Sequence, residues 1–261
     1  MTRIPHAIAR LWRLSVFHTR QFLRVTYFIE LMTVSTVVSG IAQRLAVYAW
    51  DSDPYAAFIR TGAIGMWTTV TAAGGIIRYE RFKGTLVHHF ISRIGARLSL
   101  AALVLAVAIS SILAYFIALV IWLPPGPGNL PFELVFSRAP ILLLGIVVTC
   151  AGAFGVALVV AALFVLTPNA GAYEPLLLMP LFLLSGVFGT PPGIAGWILK
   201  FVSPTMRILD VMSTPGSDLG LLTFSACLSV ISAAAWILLG LFLMGRFTRM
   251  TRTAQLAEFT A

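Results

Sequence analysis

The sequence predicts an all-α integral membrane protein with six transmembrane helices, and three observations carry that prediction. First, 59% of its 261 residues are hydrophobic and only 10% are charged, with a mean hydropathy of +0.95. Soluble domains carry about 25% charged residues, so a soluble α/β fold is excluded. Second, a membrane-crossing helix needs about 20 apolar residues, and the length allows about six such spans joined by short loops. No room remains for a sizeable soluble domain. Third, basic residues cluster between apolar runs rather than inside them. If the N-terminus is cytoplasmic and six spans alternate, 13 of the 18 Lys and Arg residues fall on the cytoplasmic side, as the positive-inside rule requires. The net charge of +9 is therefore read as setting topology, and no nucleic-acid partner is expected.

Residues 5–23 alternate Ile8, Leu11, Trp12 and Leu14 with Arg10 and Arg13 at helical spacing. This reads as an amphipathic helix lying on the inner membrane surface. Arg3, Arg10, Arg13, Arg20 and Arg24 interrupt it throughout, so a cleaved signal peptide is not expected. Span 1 is about 25–47. It carries Glu30 near its start and Arg44 near its end. Arg44 can snorkel, whereas an intramembrane acid such as Glu30 either faces a protein interior or pairs with a nearby arginine. Asp51, Ser52, Asp53 and Pro54 form an acidic turn. Span 2 is about 55–77, with Arg60 near its outer end and a Gly62, Gly65, Gly74, Gly75 series suited to close helix contacts.

The stretch Arg78–Arg97 comes next. Phe82, Leu86, Phe90 and Ile94 recur every four residues, which predicts one short amphipathic helix over about 79–94 with these four on a single face. Span 3 (about 98–122) is free of charge and ends in the turn Pro124-Pro125-Gly126-Pro127-Gly128-Asn129. Residues 132–136 are read as a short interfacial segment. Span 4 (about 139–166) contains the small-residue pair Ala151 and Gly155, with Gly152 beside it, and closes at Thr167-Pro168-Asn169-Ala170-Gly171. Span 5 (about 173–190) is short and broken by Pro175 and Pro180. A second apolar run holds Lys200 and ends at Ser203-Pro204, so 190–208 is expected to be irregular and buried or cavity-lining. Span 6 is about 219–245, after Asp210, Pro215 and Asp218. Arg246, Arg249, Arg252 and Glu258 follow. Cys150 and Cys227 lie inside apolar runs and are read as packing residues, without a disulfide framework or metal spacing.

Two stretches resemble one family. Glu80-Arg81-Phe82-Lys83-Gly84-Thr85-Leu86 is similar to the E-R-E-x-G-T-L-E pattern that follows the second span of ABC-2 type transporter permeases. Glu80, Arg81, Gly84, Thr85 and Leu86 match, while Phe82 and Val87 stand where the pattern has acids. About 100 residues later, Leu184-Ser185-Gly186-Val187-Phe188, then Pro191-Pro192, Trp197 and Ser203-Pro204, resembles the family's hallmark around the fifth span. With the N-terminal helix and the six-span count, the resemblance covers nearly the whole chain. It is to membrane subunits of bacterial ABC exporters of the drug-resistance and type V kind.

The resemblance implies an elbow helix at 5–23, a cytoplasmic coupling helix at 79–94 and re-entrant helices at 190–208. It implies separate ATPase subunits, a second permease subunit (the same chain or a homologue) and export of a drug, lipid, glycan or peptide by alternating access. The ATPase-coupling residues are then Glu80, Arg81, Lys83, Gly84, Thr85, Leu86, His88 and His89. Glu30, Trp67, Ser185, Gly186 and Phe188 are candidates for the substrate pathway. N- and C-termini are expected in the cytoplasm and the chain in the cytoplasmic membrane.

Missing chemistry narrows the choices. A nucleotide site needs a glycine-rich loop ending in G-K-[ST]. Lys83 and Lys200 are the only lysines, and neither follows a glycine. ATP and Mg would therefore be bound by a partner, with no cofactor in this chain. His6, His18, His88 and His89 show no zinc spacing, and no catalytic constellation is visible. The alternative reading is an ion-coupled secondary transporter. It would need charged relay groups at mid-membrane, and Glu30 alone comes near that description.

Overall fold

The computed structural model describes residues 3–260, apart from 23–25, 93, 127, 168–169 and 218. Side chains of 3–8, 27–28, 74, 78, 170–172, 174–175, 219 and 251–260 also lie outside the description. Expectations resting on the side chains of Arg3, His6, Ile8, Arg24, Gly74, Arg78, Arg93, Pro127, Pro168, Asn169, Ala170, Gly171, Pro175, Asp218, Arg252 and Glu258 therefore fall outside the described residues.

The described chain is helical, with no strand among the described residues. Four helical stretches are long and apolar enough to cross a membrane: Ile29–Trp50, Ala96–Trp122, Ala139–Leu166 and Gly220–Met250. The first lies in α2 (Thr26–Trp50), the second covers α6 (Ala96–Ser111) and α7 (Leu113–Trp122), the third is α9 (Ala139–Leu166), and the fourth lies in α13 (Leu219–Thr260). The other two expected spans are different in kind. α3 (Pro54–Ala72) carries Arg60, Thr61, Thr68, Thr69 and Thr71, which lower its apolar character. α10 (Ala170–Leu184) has 15 residues, short of the length a bilayer core demands. It runs through both prolines that were expected to break it.

α3 and α9 form the centre. Trp67, Met66, Val70 and Tyr55 of α3 are fully buried, and so are most residues of α9 from Gly152 to Val165. α3 packs against α2, α6, α7 and α9, while α9 makes its most extensive contact with α13. Small residues allow these approaches. A Cβ on Gly155 would lie 2.9 Å from Trp236 Cβ and 3.1 Å from the Ile237 nitrogen of α13. One on Gly65 would run into Thr36 of α2. Cys150 is buried with its thiol 3.1 Å from the Ala108 carbonyl, but Cys227 is exposed on α13. Its place in an apolar run reflects the lipid-like face of that helix rather than packing inside it.

Polar caps end the helices. Asp53 accepts from the amides of Tyr55 and Ala56 at 3.3 and 3.1 Å and so starts α3. Arg44 donates to the Pro124 carbonyl at 2.7 Å and lies over the Trp122 ring, which holds the far end of α7 to α2. α1 (Arg3–Phe22) lies along α6, with Ser15, His18 and Phe22 turned inward and Trp12 and Phe17 exposed. Thr19 Oγ1 donates to the Ala106 carbonyl at 3.4 Å. The segment after Pro131 forms α8 (Phe132–Ser137), where a short interfacial element was expected.

Candidate functional site

Two regions of interest sit at opposite ends of α9. At its C-terminal end lies the segment after α3. The helix there does not continue unbroken. A 3-10 turn (Ala73–Gly75) leads into α4 (Ile76–Phe82), and α5 (Leu86–Phe90) follows a three-residue turn. The single helix expected over 79–94 is therefore corrected to two short ones. Its cause is local. Gly84 adopts φ +73, its amide bonds the Arg81 carbonyl, and the Thr85 amide bonds the Glu80 carbonyl, both at 3.0 Å. This is the Schellman pattern, which stops a helix at a left-handed glycine.

The break changes which side chains face outward. Leu86 and Phe90 are buried, as the four-residue spacing predicted, but Phe82 is 89% exposed. Phe82 precedes the turn, so it no longer shares a face with Leu86 and Phe90. Exposed Phe82, Val87 and Ile91 form an apolar tip. Lys83 and His88 are exposed beside them, and the Lys83 ammonium lies 4.3 Å from the Tyr79 ring centroid.

The remaining polar residues point inward. Arg81 donates to the carbonyls of Val165 (2.7 Å), Thr167 (2.9 Å) and Phe164 (3.2 Å). It thus caps the C-terminus of α9, where a cation meets the negative end of the helix dipole. The Thr85 hydroxyl donates to the Glu80 carboxylate. His89 Nε2 lies 3.6 Å from the same carboxylate, and His89 Nδ1 is hydrogen-bonded to Ser99 Oγ at 2.8 Å. The bond from His89 holds the Glu80 carboxyl below its usual value, Thr85 adds to that, and partial burial opposes both. His18 of α1 completes the cluster, with ring centroids 6.0 Å from His89. Burial lowers its pKa below the usual 6.5. No group of three His, Cys, Asp or Glu that could hold a metal ion occurs among the described residues.

Of the eight expected coupling residues, Lys83, Gly84 and His88 are exposed. Glu80, Thr85 and His89 form the internal cluster, Arg81 is a helix cap, and Leu86 is a buried anchor. The spacing of the motif could not reveal Val87 and Ile91 as surface residues, nor Ser99 and His18 as partners. Those depend on the turn at Gly84 and on contacts between distant helices.

At the other end of α9, Arg138 donates to the Thr214 carbonyl at 2.6 Å and also to the Ser217 hydroxyl. These two residues follow α12 (Met206–Ser213), which is preceded by α11 (Gly193–Val202). α9 has 28 residues, about 40 Å at 1.5 Å per residue. That is about the full thickness of a bilayer. The expected region 190–208 thus becomes two short helices at the end opposite the Glu80 cluster. Ser185 and Gly186 lie under α12. Thr205 Oγ1 donates to the Ser185 carbonyl at 2.7 Å, and a Cβ on Gly186 (φ +77) would lie 2.7 Å from Met206 Cα. Trp67 is buried in α3, while Glu30 and Phe188 are exposed.

A family model described as ABC-2 type transporter matches residues 9–214, which is most of the chain. Comparison with curated proteins and with solved structures found no match.

Proposed function

The chain belongs to the ABC-2 type transporter family, and on that premise we propose that it is the permease subunit of an ATP-driven exporter of an amphipathic or lipophilic substrate. The chain itself is a membrane component and not catalytic. ATP and Mg are bound by separate nucleotide-binding subunits, and two permease subunits, identical or homologous, enclose the pathway. On this reading α3 and α10 join the four long apolar stretches as the second and fifth of six spans. Both termini are cytoplasmic, α1 is the elbow helix, and substrate crosses the cytoplasmic membrane by alternating access.

One observation carries the reading. The segment between α3 and α6 presents an exposed apolar tip of Phe82, Val87 and Ile91, while its polar residues anchor it to the rest of the protein. An exposed apolar patch on a well-anchored support is what a docking surface requires. Arg81 and the Glu80–His89 contact then serve to set the angle of that tip. The resemblance names the occupant as an ATPase groove. Lys83 and His88 at its edge favour acidic residues on the partner.

The test is isolation of the chain from its native membrane in mild detergent. An ATPase of nucleotide-binding-domain size should co-purify, and Gly84→Trp should abolish its stimulation while the permease still inserts. Recovery of the intact permease without any ATPase, and proton-gradient-driven transport in its absence, would refute the proposal in favour of a secondary transporter.

A further inference from the structure

A cavity of about 720 Å³ opens between α11, α12 and the start of α13, at the end of the molecule opposite the coupling segment. Small-molecule sites typically measure about 300–1,000 Å³. Its polar wall contains Lys200, Arg207 and Asp210, and its apolar wall contains Leu221 and Phe224. None of these belongs to the coupling surface.

The polar wall is ordered. Lys200 Nζ pairs with the Asp210 carboxylate, which also accepts from Thr190 Oγ1 at 2.8 Å. Arg207 Nε donates to the Lys200 carbonyl at 2.8 Å. That bond orients the guanidinium and leaves its two terminal nitrogens without an acceptor among the described residues. Among the described residues the wall therefore has two cations against one acid. Ser225 of α13 lines the same cavity and is only 6% exposed. Its hydroxyl has no hydrogen-bond partner among the described residues.

The apolar wall faces the other way. Leu221 and Phe224 are 54% and 59% exposed, at the start of the apolar stretch Gly220–Met250. Beside them α11 exposes Ile194, Trp197 and Phe201 and carries Lys200 in its last turn. An exposed apolar face with an interfacial tryptophan and a terminal lysine marks a helix lying at a membrane surface. The cavity thus meets the headgroup region on one side and the acyl region on the other.

We infer that this cavity binds an amphiphile with an anionic, phosphate-type headgroup. The forked guanidinium of Arg207 and the Lys200 ammonium hold the headgroup, since two cations with free donors match phosphate oxygens. The Ser225 hydroxyl supplies a further donor, and Leu221 and Phe224 receive the first carbons of the tail. A neutral headgroup leaves the excess cation uncompensated, and inorganic phosphate gains nothing from the apolar wall. The occupant is either a bilayer lipid or the transported substrate, which share this chemistry.

The test is equilibrium binding of short-chain phosphatidylglycerol to the purified full-length chain in neutral detergent, with short-chain phosphatidylcholine and inorganic phosphate as comparison probes. It needs no ATPase, so its outcome is separate from that of the transport reading. Wild type should prefer phosphatidylglycerol. Arg207→Gln should weaken binding about tenfold, as expected for loss of a charge-assisted hydrogen bond, and Arg207→Lys by less. Phe224→Ser, altering an exposed residue, should also weaken it without lowering the melting temperature. Unchanged affinity in both Arg207→Gln and Phe224→Ser, or equal affinity of the wild type for the two lipids, would overturn the proposal. Where Arg207→Gln does not purify, Lys200→Gln takes its place. In the assembled complex, release that follows ATP turnover identifies the amphiphile as cargo, and ATP-independent exchange identifies a resident lipid. Either outcome supports the site.

Discussion

Arg81→Ala is the sharpest perturbation of the segment between α3 and α6, because its two readings diverge. If Arg81 contacted an ATPase directly, its loss would weaken the complex and leave the free permease unaffected. The structure instead directs the guanidinium to three carbonyls at the end of α9. Each charge-assisted bond contributes about 1.5–3 kcal/mol when fully buried, and a cation at a helix C-terminus about 0.3–1 kcal/mol. Arg81 is half-buried, so water can replace part of what is lost. The net destabilisation is then about 2–4 kcal/mol, toward the large end for a single substitution. Arg81→Lys keeps the charge but lacks the fork, and should fall between wild type and Arg81→Ala. The assay is thermal unfolding of the purified permease without any partner, with ATPase co-purification measured in parallel. A melting temperature of the isolated Arg81→Ala chain equal to wild type, together with lost ATPase binding, would refute the capping argument.

Three further outcomes follow from the same geometry. Phe82→Asp should leave the unfolding free energy within about 0.5 kcal/mol of wild type, as for an exposed residue, which thermal unfolding reads, yet reduce ATPase association by about 2 kcal/mol, roughly thirtyfold, which a pull-down titration reads. Gly186→Ala forces a side chain into φ +77 and against Met206 Cα, so it should lower expression and thermal stability strongly, whereas Gly193→Ala, also at positive φ but with nothing within 4 Å, should do so less. The folded state holds His18 neutral below its usual 6.5, while the unfolded chain takes up the proton, so stability should be full above that pH and decline as pH falls below it toward the lowered value. His18→Leu should flatten that slope in melting-temperature scans, with His89 and Glu80 left as the neighbouring titratable groups, and an unchanged slope would contradict the burial argument.

The long helices were legible because their signal is local. Runs such as residues 139–166 are apolar at nearly every position, and the observed α9 has those bounds. The acidic turn Asp51–Pro54 was placed ahead of the second span, but that Asp53 within it is the N-cap of α3 emerged only from the structure. The segment between α3 and α6 was half legible. Its motif located Gly84 and Thr85, but the even spacing of Phe82, Leu86, Phe90 and Ile94 suggested one continuous face. A single positive φ overrode that spacing and turned Phe82 outward. Nothing in the local sequence indicates that Arg81 reaches carbonyls more than eighty positions away, or that His18 meets His89. Those pairings depend on how α1, α6 and α9 pack. The same limit applied to Ser185 and Gly186, read as pathway candidates from a motif. In three dimensions Gly186 sits at φ +77 against Met206 Cα, a close backbone approach that the motif alone did not reveal.

Two arginines tie the two ends of α9 to different parts of the chain. α9 is 28 residues long, with its only proline at the second position, so it has no internal break and behaves as a stiff rod. α3 beside it gives way to the 3-10 turn Ala73–Gly75 before α4 begins. Arg81 ties that segment to the C-terminus of α9. Arg138, at the residue before α9 begins, ties its other end to the loop that follows α12. Arg81 and Arg138 thus fix the two ends of α9 to the segment after α3 and to the loop after α12.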